Sequence, residues 1–272
     1  MLRRNNLALI GGSIILALVL LAVTVGPLLS PYDPLRNDLS ARLKPPLTPG
    51  HILGTDQMGR DLAVRLMLGG RLSLMMSGAA VVLAMVIGVG IGLLAGFQGR
   101  WVDSALMRLV DVQLAFPFIL LALTILTAVR SSVEILILLL TLAAWVLFAR
   151  TVRGSVLKEI NREYVQGAIV LGASRTRIAL RYVLPNLMPT IAVIVTLELA
   201  ALIMFEATLS FLGVGIQPPT PSWGGIMLEG QTYMRSAWWI TTLPGVALFI
   251  TTIGLNMMSE GLRDILDPRL QR

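Results

Sequence analysis

The chain has 272 residues, 56% of them hydrophobic and only 14% charged, with a mean hydropathy of +0.80. A soluble domain carries about 25% charged residues, so the composition defines a polytopic α-helical membrane protein. Zero cysteines exclude disulfides, thiolate metal sites and cysteine nucleophiles. The net charge of +7 reads as Lys and Arg in loops flanking membrane spans, not as a nucleic-acid footprint.

A basic start, Met1 to Asn6, leads into the uncharged run Leu7–Leu29. The run is long enough to cross a hydrocarbon core of roughly 30 Å at about 1.5 Å per residue. It exceeds the about 7–15 residues of a secretory signal core, and no A-x-A site follows, so it is read as a retained first helix. In the polar segment after it, Gly54, Asp56, Gly59, Arg60 and Asp61 form an outer structural motif, two glycines and three charges that lock a turn through local pairs. Arg60 to Arg71 reads as a short interfacial helix, with Leu62, Leu66 and Leu68 toward lipid and Arg65 outward. The segment is either a brace or a contact for a substrate-delivering protein.

Further spans are predicted at Leu72–Phe97, Leu109–Val129, Glu134–Ala149, Pro189–Phe211 and Thr241–Ser259. Pro117 and Pro244 kink the third and sixth. In the second span Ala80, Ala84, Gly88, Gly92 and Gly96 line one face at i, i+4 spacing, for close packing inside the bundle or against a second membrane subunit. Between helices 5 and 6, Pro218–Trp239 reads as an outer loop anchored at the interface by Trp223, Trp238 and Trp239. The chain divides into 1–71, a helix plus an extracytoplasmic segment, and 72–272, a five-helix core with a loop at about 155–188.

Six spans put both termini on one side of the membrane. With the N-terminus inside, most of the 22 basic residues fall in cytoplasmic segments, and most of the rest lie in the long segment after helix 1, which counts least. Both termini are therefore expected in the cytoplasm.

No engine is visible. The two lysines, Lys44 and Lys158, follow Leu43 and Leu157, so no G-x-x-x-x-G-K-[ST] phosphate loop exists. The single histidine, His51, has no partner for a zinc site, and no G-x-S-x-G or H-E-x-x-H occurs. The candidates for ionisable groups deep in the membrane are Glu198 and Glu206 in helix 5. Glu198 lies deep, and Glu206 near the outer end where water is close. Each is a paired structural carboxylate or a cavity-lining contact for a cationic group on the substrate.

Between spans 4 and 5 lies a polar island, Glu163 to Pro189, carrying Arg175, Arg177 and Arg181. Its pattern predicts a helix over Ser155–Leu171, ended by Gly172. A second helix starts at Ala173-Ser174 with Ser174 as N-cap, and Pro185 and Pro189 break the way into helix 5.

This island resembles the EAA loop of bacterial ABC importer permeases, E-A-A-x3-G-x9-I-x-L-P. Ala168, Gly172, Leu184 and Pro185 match; Gln166, Gly167 and Tyr182 stand in place of the Glu, the first Ala and the Ile. Leu53 to Asp61 resembles the L-G-T-D-x-x-G-R-D block of the dipeptide, oligopeptide and nickel importers. Ser210–Gly215 with Pro218-Pro219 and Pro221–Gly224, and Gly261–Asp264 with Leu266–Arg269, resemble two more blocks of the smaller permease subunit. The resemblance implies an all-α, six-helix type I ABC importer permease fold in the bacterial inner membrane, with a cytoplasmic coupling helix. Contacts to the ATPase then fall to Glu163, Tyr164, Gln166, Gly167, Ala168, Leu171, Gly172, Ala173 and Ser174. It also implies a second permease subunit, two ATP-binding subunits holding ATP and Mg, and an extracytoplasmic binding protein. No cofactor and no enzymatic activity are expected in this chain. The implied cargo is dipeptides or short oligopeptides, with nickel chelates, glutathione and other small solutes open.

Overall fold

The computed structural model of the chain describes residues 2–129 and 131–266. Asp267, Pro268 and Arg269 of the C-terminal motif, and Arg272, lie outside the described residues. In hydrocarbon every backbone N–H and C=O must be satisfied within the segment, so long apolar runs become helices. In chain order they are α1 (Leu2–Leu29), α2 (Leu62–Gln98), α3 (Arg100–Ala115), α4 (Phe118–Ala128), α5 (Val133–Glu159), α6 (Glu163–Val170), α7 (Arg175–Arg177), α8 (Leu184–Phe211), α9 (Trp223–Gln231) and α10 (Trp239–Leu266). Five helices are long and apolar enough to cross a membrane, or six when α3 and α4 count as one span bent by 79°. The bend falls at Pro117, which holds Phe116 extended and removes a helical N–H.

The central contact is between α2 and α5, and the small-residue face of α2 makes it. A Cβ on Gly92 would stand 2.7 Å from the Ala149 carbonyl, and one on Gly88 would collide with the Trp145 carbonyl. Phe148, Ala149, Val152 and Val156 of α5 are buried against this face, in a core completed by Ile191 and Ile194 of α8. On the other side α1 packs along α10, where Gly12 lies against the Gly254 carbonyl. Most of the α1 apolar surface remains outward, as expected of a lipid-facing helix.

Four local expectations are corrected. First, Arg60–Arg71 is not a separate interfacial helix. From Leu62 the backbone is already α2, capped by Asp61, whose carboxylate accepts the Val64 amide at 3.1 Å. Leu62 is fully buried and Arg65 is turned inward at 1% exposure. The cause is charge pairing: its carboxylate partners lie on the protein side. Second, the helix expected over Ser155–Leu171 is interrupted. Helix α5 ends at Glu159 and Arg162 is extended before α6. Side chains take up the freed carbonyls, Asn161 donating to Leu157 and Gln166 to Ile160.

Third, Pro185 and Pro189 do not break the entry to helix 5. The helix runs from Arg175 to Phe211 through a π-helical stretch, Ile178–Val183. There the Leu184 amide reaches Ala179, five residues back, a register change just before the proline that has no amide to give. Fourth, Trp223 and Trp239 are not interfacial anchors. Both are buried, and their indole N–H groups donate to the backbone carbonyls of Leu66 and Thr55; only Trp238 is half exposed.

The α2–α5 contact predicts opposite outcomes for two neighbouring glycines. Gly92→Ala, which meets backbone, should lower stability in detergent by about 1–3 kcal/mol. Gly90→Ala, with nothing within 4 Å of the added Cβ, should be neutral or stabilising by up to about 1 kcal/mol. Thermal unfolding of the two purified variants reads the difference, and equal shifts would contradict the packing described.

Candidate functional site

Two polar assemblies lie at opposite ends of the bundle. At one end, α5 runs beyond its apolar stretch and hands the chain to α6, Gly172 and α7. Gly172 has φ +80°, a left-handed conformation that side chains with a Cβ adopt at a cost. Its amide donates to Ile169, and that of Ala173 to Ala168, closing α6. Ser174 then accepts the Arg177 amide as N-cap of the next helix.

Val165 and Ala168 are the buried face of α6. Glu163, Tyr164, Gln166, Gly167, Leu171, Gly172 and Ser174 are exposed, and Ala173 is partly so. At the tip Val170 and Leu171 are 86% and 88% exposed, an apolar pair with no cover in this chain. The lobe is tied back by Tyr164, which donates to Glu159 at 2.6 Å and accepts from Asn186 at 2.9 Å. Burial, with that bond to Glu159, raises the Tyr164 pKa above the ordinary phenol value, so the group stays a donor. Asn186 therefore joins α6 to α8, a role its sequence position between two helical segments did not signal.

At the other end, Gly54, Asp56, Gly59, Arg60 and Asp61 fold into a tight loop above α2. Gly59 has φ +75°, and any Cβ there would collide with the Asp38 carbonyl. Asp56 is fully buried and accepts from the Met58 and Arg60 amides at 2.8 and 3.0 Å. Its other oxygen takes Arg60 Nε at 2.7 Å and Arg65 Nη1. Glu229 of α9 completes the group, accepting Arg60 Nη2 and Arg65 Nη2, each at 2.9 Å, and Gln57 Nε2 at 2.8 Å.

Two guanidiniums and two carboxylates thus balance inside the protein and bind loop, α2 and α9 together. Sequence reasoning missed Glu229 and misplaced Arg65. The available signal was that Glu229 is the one acidic residue between Glu206 and Glu260.

The two acidic groups of helix 5 separate. Glu198 is half-buried on α8. Glu206, expected near water, is instead completely buried. One of its oxygens accepts the Ser210 hydroxyl at 2.7 Å, and Ser73 and Ser222 lie beside the carboxyl. Eight residues apart, the two differ in height by about 12 Å and point in directions about 80° apart, so they share no site.

Apolar spans with one bent helix pair, an exposed helical lobe at one end and a braced cap at the other define a membrane transport subunit. The backbone matches a chain of the MetNI methionine ABC transporter in an inward-facing conformation, with a TM-score of 0.61 at 21% identity over 74% of this chain and 96% of that one. The fold is therefore that of a type I ABC importer permease. The chain belongs to the family of binding-protein-dependent transport system inner membrane components, whose model matches residues 88–272. Residues 1–46 match the N-terminal transmembrane domain of oligopeptide transport permease C. The di/tripeptide transport system permease protein DppC of Pseudomonas aeruginosa is 36% identical over 98% of this chain and 90% of its own length. The oligopeptide transport system permease protein OppC of Haemophilus influenzae is 36% identical over 97% and 86%.

The buried charge group predicts a large asymmetry. Arg65→Gln leaves the carboxylates with one guanidinium and should cost about 3–5 kcal/mol. Arg36→Gln, at an exposed arginine outside the network, should change stability by less than about 0.5 kcal/mol. Denaturant unfolding of the purified variants is the check.

Proposed function

We propose that this chain is one of two permease subunits of a bacterial ABC importer that carries dipeptides or short oligopeptides across the inner membrane by alternating access. Its two curated relatives above are named for di/tripeptide and oligopeptide transport. In this reading the termini and the α6 lobe face the cytoplasm, and two partner subunits bind ATP and Mg. An extracytoplasmic protein delivers the cargo to the cap end. The observation that carries the coupling role is the uncovered apolar pair Val170 and Leu171 at the tip of α6, beside the Gly172 bend. Exposed apolar side chains on a rigid helical lobe fit a groove on another protein.

The mechanism follows from how the lobe is attached. Tyr164 binds Glu159 at the end of α5 and Asn186 near the start of α8. A displacement of α6 by a partner therefore reaches two spanning helices at once. Helix α5 in turn lies in close contact with α2, so the push re-tilts that packed group. Glu198, the half-buried carboxylate of α8, is the candidate contact for the amino group of a passing peptide.

Leu171→Asp should abolish co-purification of the ATP-binding subunits while leaving membrane insertion unchanged. Gly172→Val, whose Cβ meets nothing within 4 Å, acts through backbone strain of about 1–2 kcal/mol. It should retain ATP hydrolysis and lose peptide uptake in proteoliposomes. Normal uptake by both variants would overturn the coupling role. In the same assay Glu198→Gln should weaken uptake of peptides with a free amino terminus and spare N-acetylated ones. An equal effect on both would remove Glu198 from the pathway.

A further inference from the structure

The cap end holds two adjoining cavities that the transport mechanism does not use. One is a polar chamber of about 500 Å³ walled in part by Asp33, Arg36, Asp38 and His51. The other is an apolar slot of about 230 Å³ where the end of α1 meets the start of α2, lined by Leu29, Ile52 and Met67 among others. Both are bounded by Pro31, Tyr32 and Asp61, so the two lie side by side. Tyr32 stands against the His51 ring, centroids 5.0 Å apart, as part of the shared wall.

The slot sits where the apolar run of α1 ends, beside Leu28 and Leu29, each 79% exposed. That is the level at which hydrocarbon gives way to headgroups. The chamber above it is charged in a particular way. Asp33 Oδ1 accepts the Leu35 amide at 2.9 Å, and Asp38 Oδ1 accepts the Ser40 amide and hydroxyl at 3.0 and 2.5 Å. The second oxygen of Asp33 has no protein partner among the described residues, and neither does the Arg36 guanidinium; the Asp38 carboxyl is also reached by the Ala41 amide and by the charge of Lys44. Asp61, by contrast, is engaged by Val64 and His51. The Ser40 hydroxyl and amide hold the Asp38 carboxyl below the ordinary carboxylate range, so it is ionised at neutral pH.

The open oxygen of Asp33 and the anionic Asp38, beside one open guanidinium, complement a headgroup with an ammonium and a phosphate, and the apolar slot accepts an acyl chain. A primary ammonium has three N–H donors for Asp33 and Asp38, whereas a trimethylated one has none. We propose that the two cavities together form a site for an aminophospholipid, with its ammonium between Asp33 and Asp38, its phosphate on Arg36 and the start of an acyl chain in the slot beside Met67. The site depends on the chain spanning a membrane and not on the identity of the cargo.

The test is native mass spectrometry of the delipidated importer complex, offered equimolar phosphatidylethanolamine, phosphatidylcholine and phosphatidylglycerol. Wild type should retain phosphatidylethanolamine about fivefold over each of the others, the scale of one exposed ion pair. Asp33→Asn with Asp38→Asn should erase that preference. Arg36→Gln should lower retention of all three lipids, and Met67→Trp should block the slot and do the same. Equal retention of phosphatidylethanolamine and phosphatidylcholine by wild type would overturn the proposal. So would an unchanged preference in the double variant. Soluble glycerophosphoethanolamine binding as well as the intact lipid would place the ligand in solution and also overturn it. Displacement of bound lipid by diglycine would mark the chamber as a peptide subsite instead. Peptide uptake measured in parallel reports separately on the transport reading, because none of these residues belongs to the α6 lobe or to α8.

Discussion

Along α2, Ala80, Ala84, Gly88, Gly92 and Gly96 carry too little side chain to hold α5 at the usual distance, and the two backbones come almost into contact. In lipid no hydrophobic force drives two apolar helices together, so close van der Waals approach has to do it. The consequence runs through the molecule. With α2 fixed against α5, α8 closes the same core through Ile191 and Ile194. The far end of α5 then projects far enough to carry the α6 lobe clear of the apolar zone. A wider α2 face would move the lobe as well as the core.

The opposite end is held by charge. Asp56 and Arg60 of a loop and Arg65 of the spanning helix that follows it meet Glu229 of a short helix far along the chain. Buried charges are tolerable only when paired and hydrogen-bonded, and this group meets both conditions for nearly every polar atom. Such pairing fixes the orientation of α9 and the loop relative to α2, since any slip would strand a charge. The bundle therefore has one end locked by ion pairs and another, at α6, attached through a few hydrogen bonds and the buried side chains of Val165 and Ala168.

Much of the plan is legible without coordinates because hydrocarbon allows so few backbone solutions. The runs Leu7–Leu29 and Leu72–Phe97 are helices for that reason, and Gly172 and Ser174 carry local signals of helix end and helix start that need no partner. What failed depended on distant groups. Arg65 looks like an outward-facing residue until Asp56 and Glu229 are placed beside it. Trp223 and Trp239 look like interfacial anchors until the Leu66 and Thr55 carbonyls accept their indole protons. Glu206 looks close to water until Ser210 and its neighbours enclose it. Pro185 looks like a helix breaker, but the π-helical register of Ile178–Val183 comes from the whole helix and cannot be read from one residue.

By itself the sequence determined the class, the number of candidate spans and the existence of a helical, basic lobe between two of them. Those features follow from local periodicity, from composition and from the cost of unsatisfied backbone in lipid. Only the tertiary structure decided which polar groups are buried, which are open and which meet one another. Burial of a charge is a property of its partners, and for Asp56, Arg65 and Glu229 those partners are brought together by folding alone.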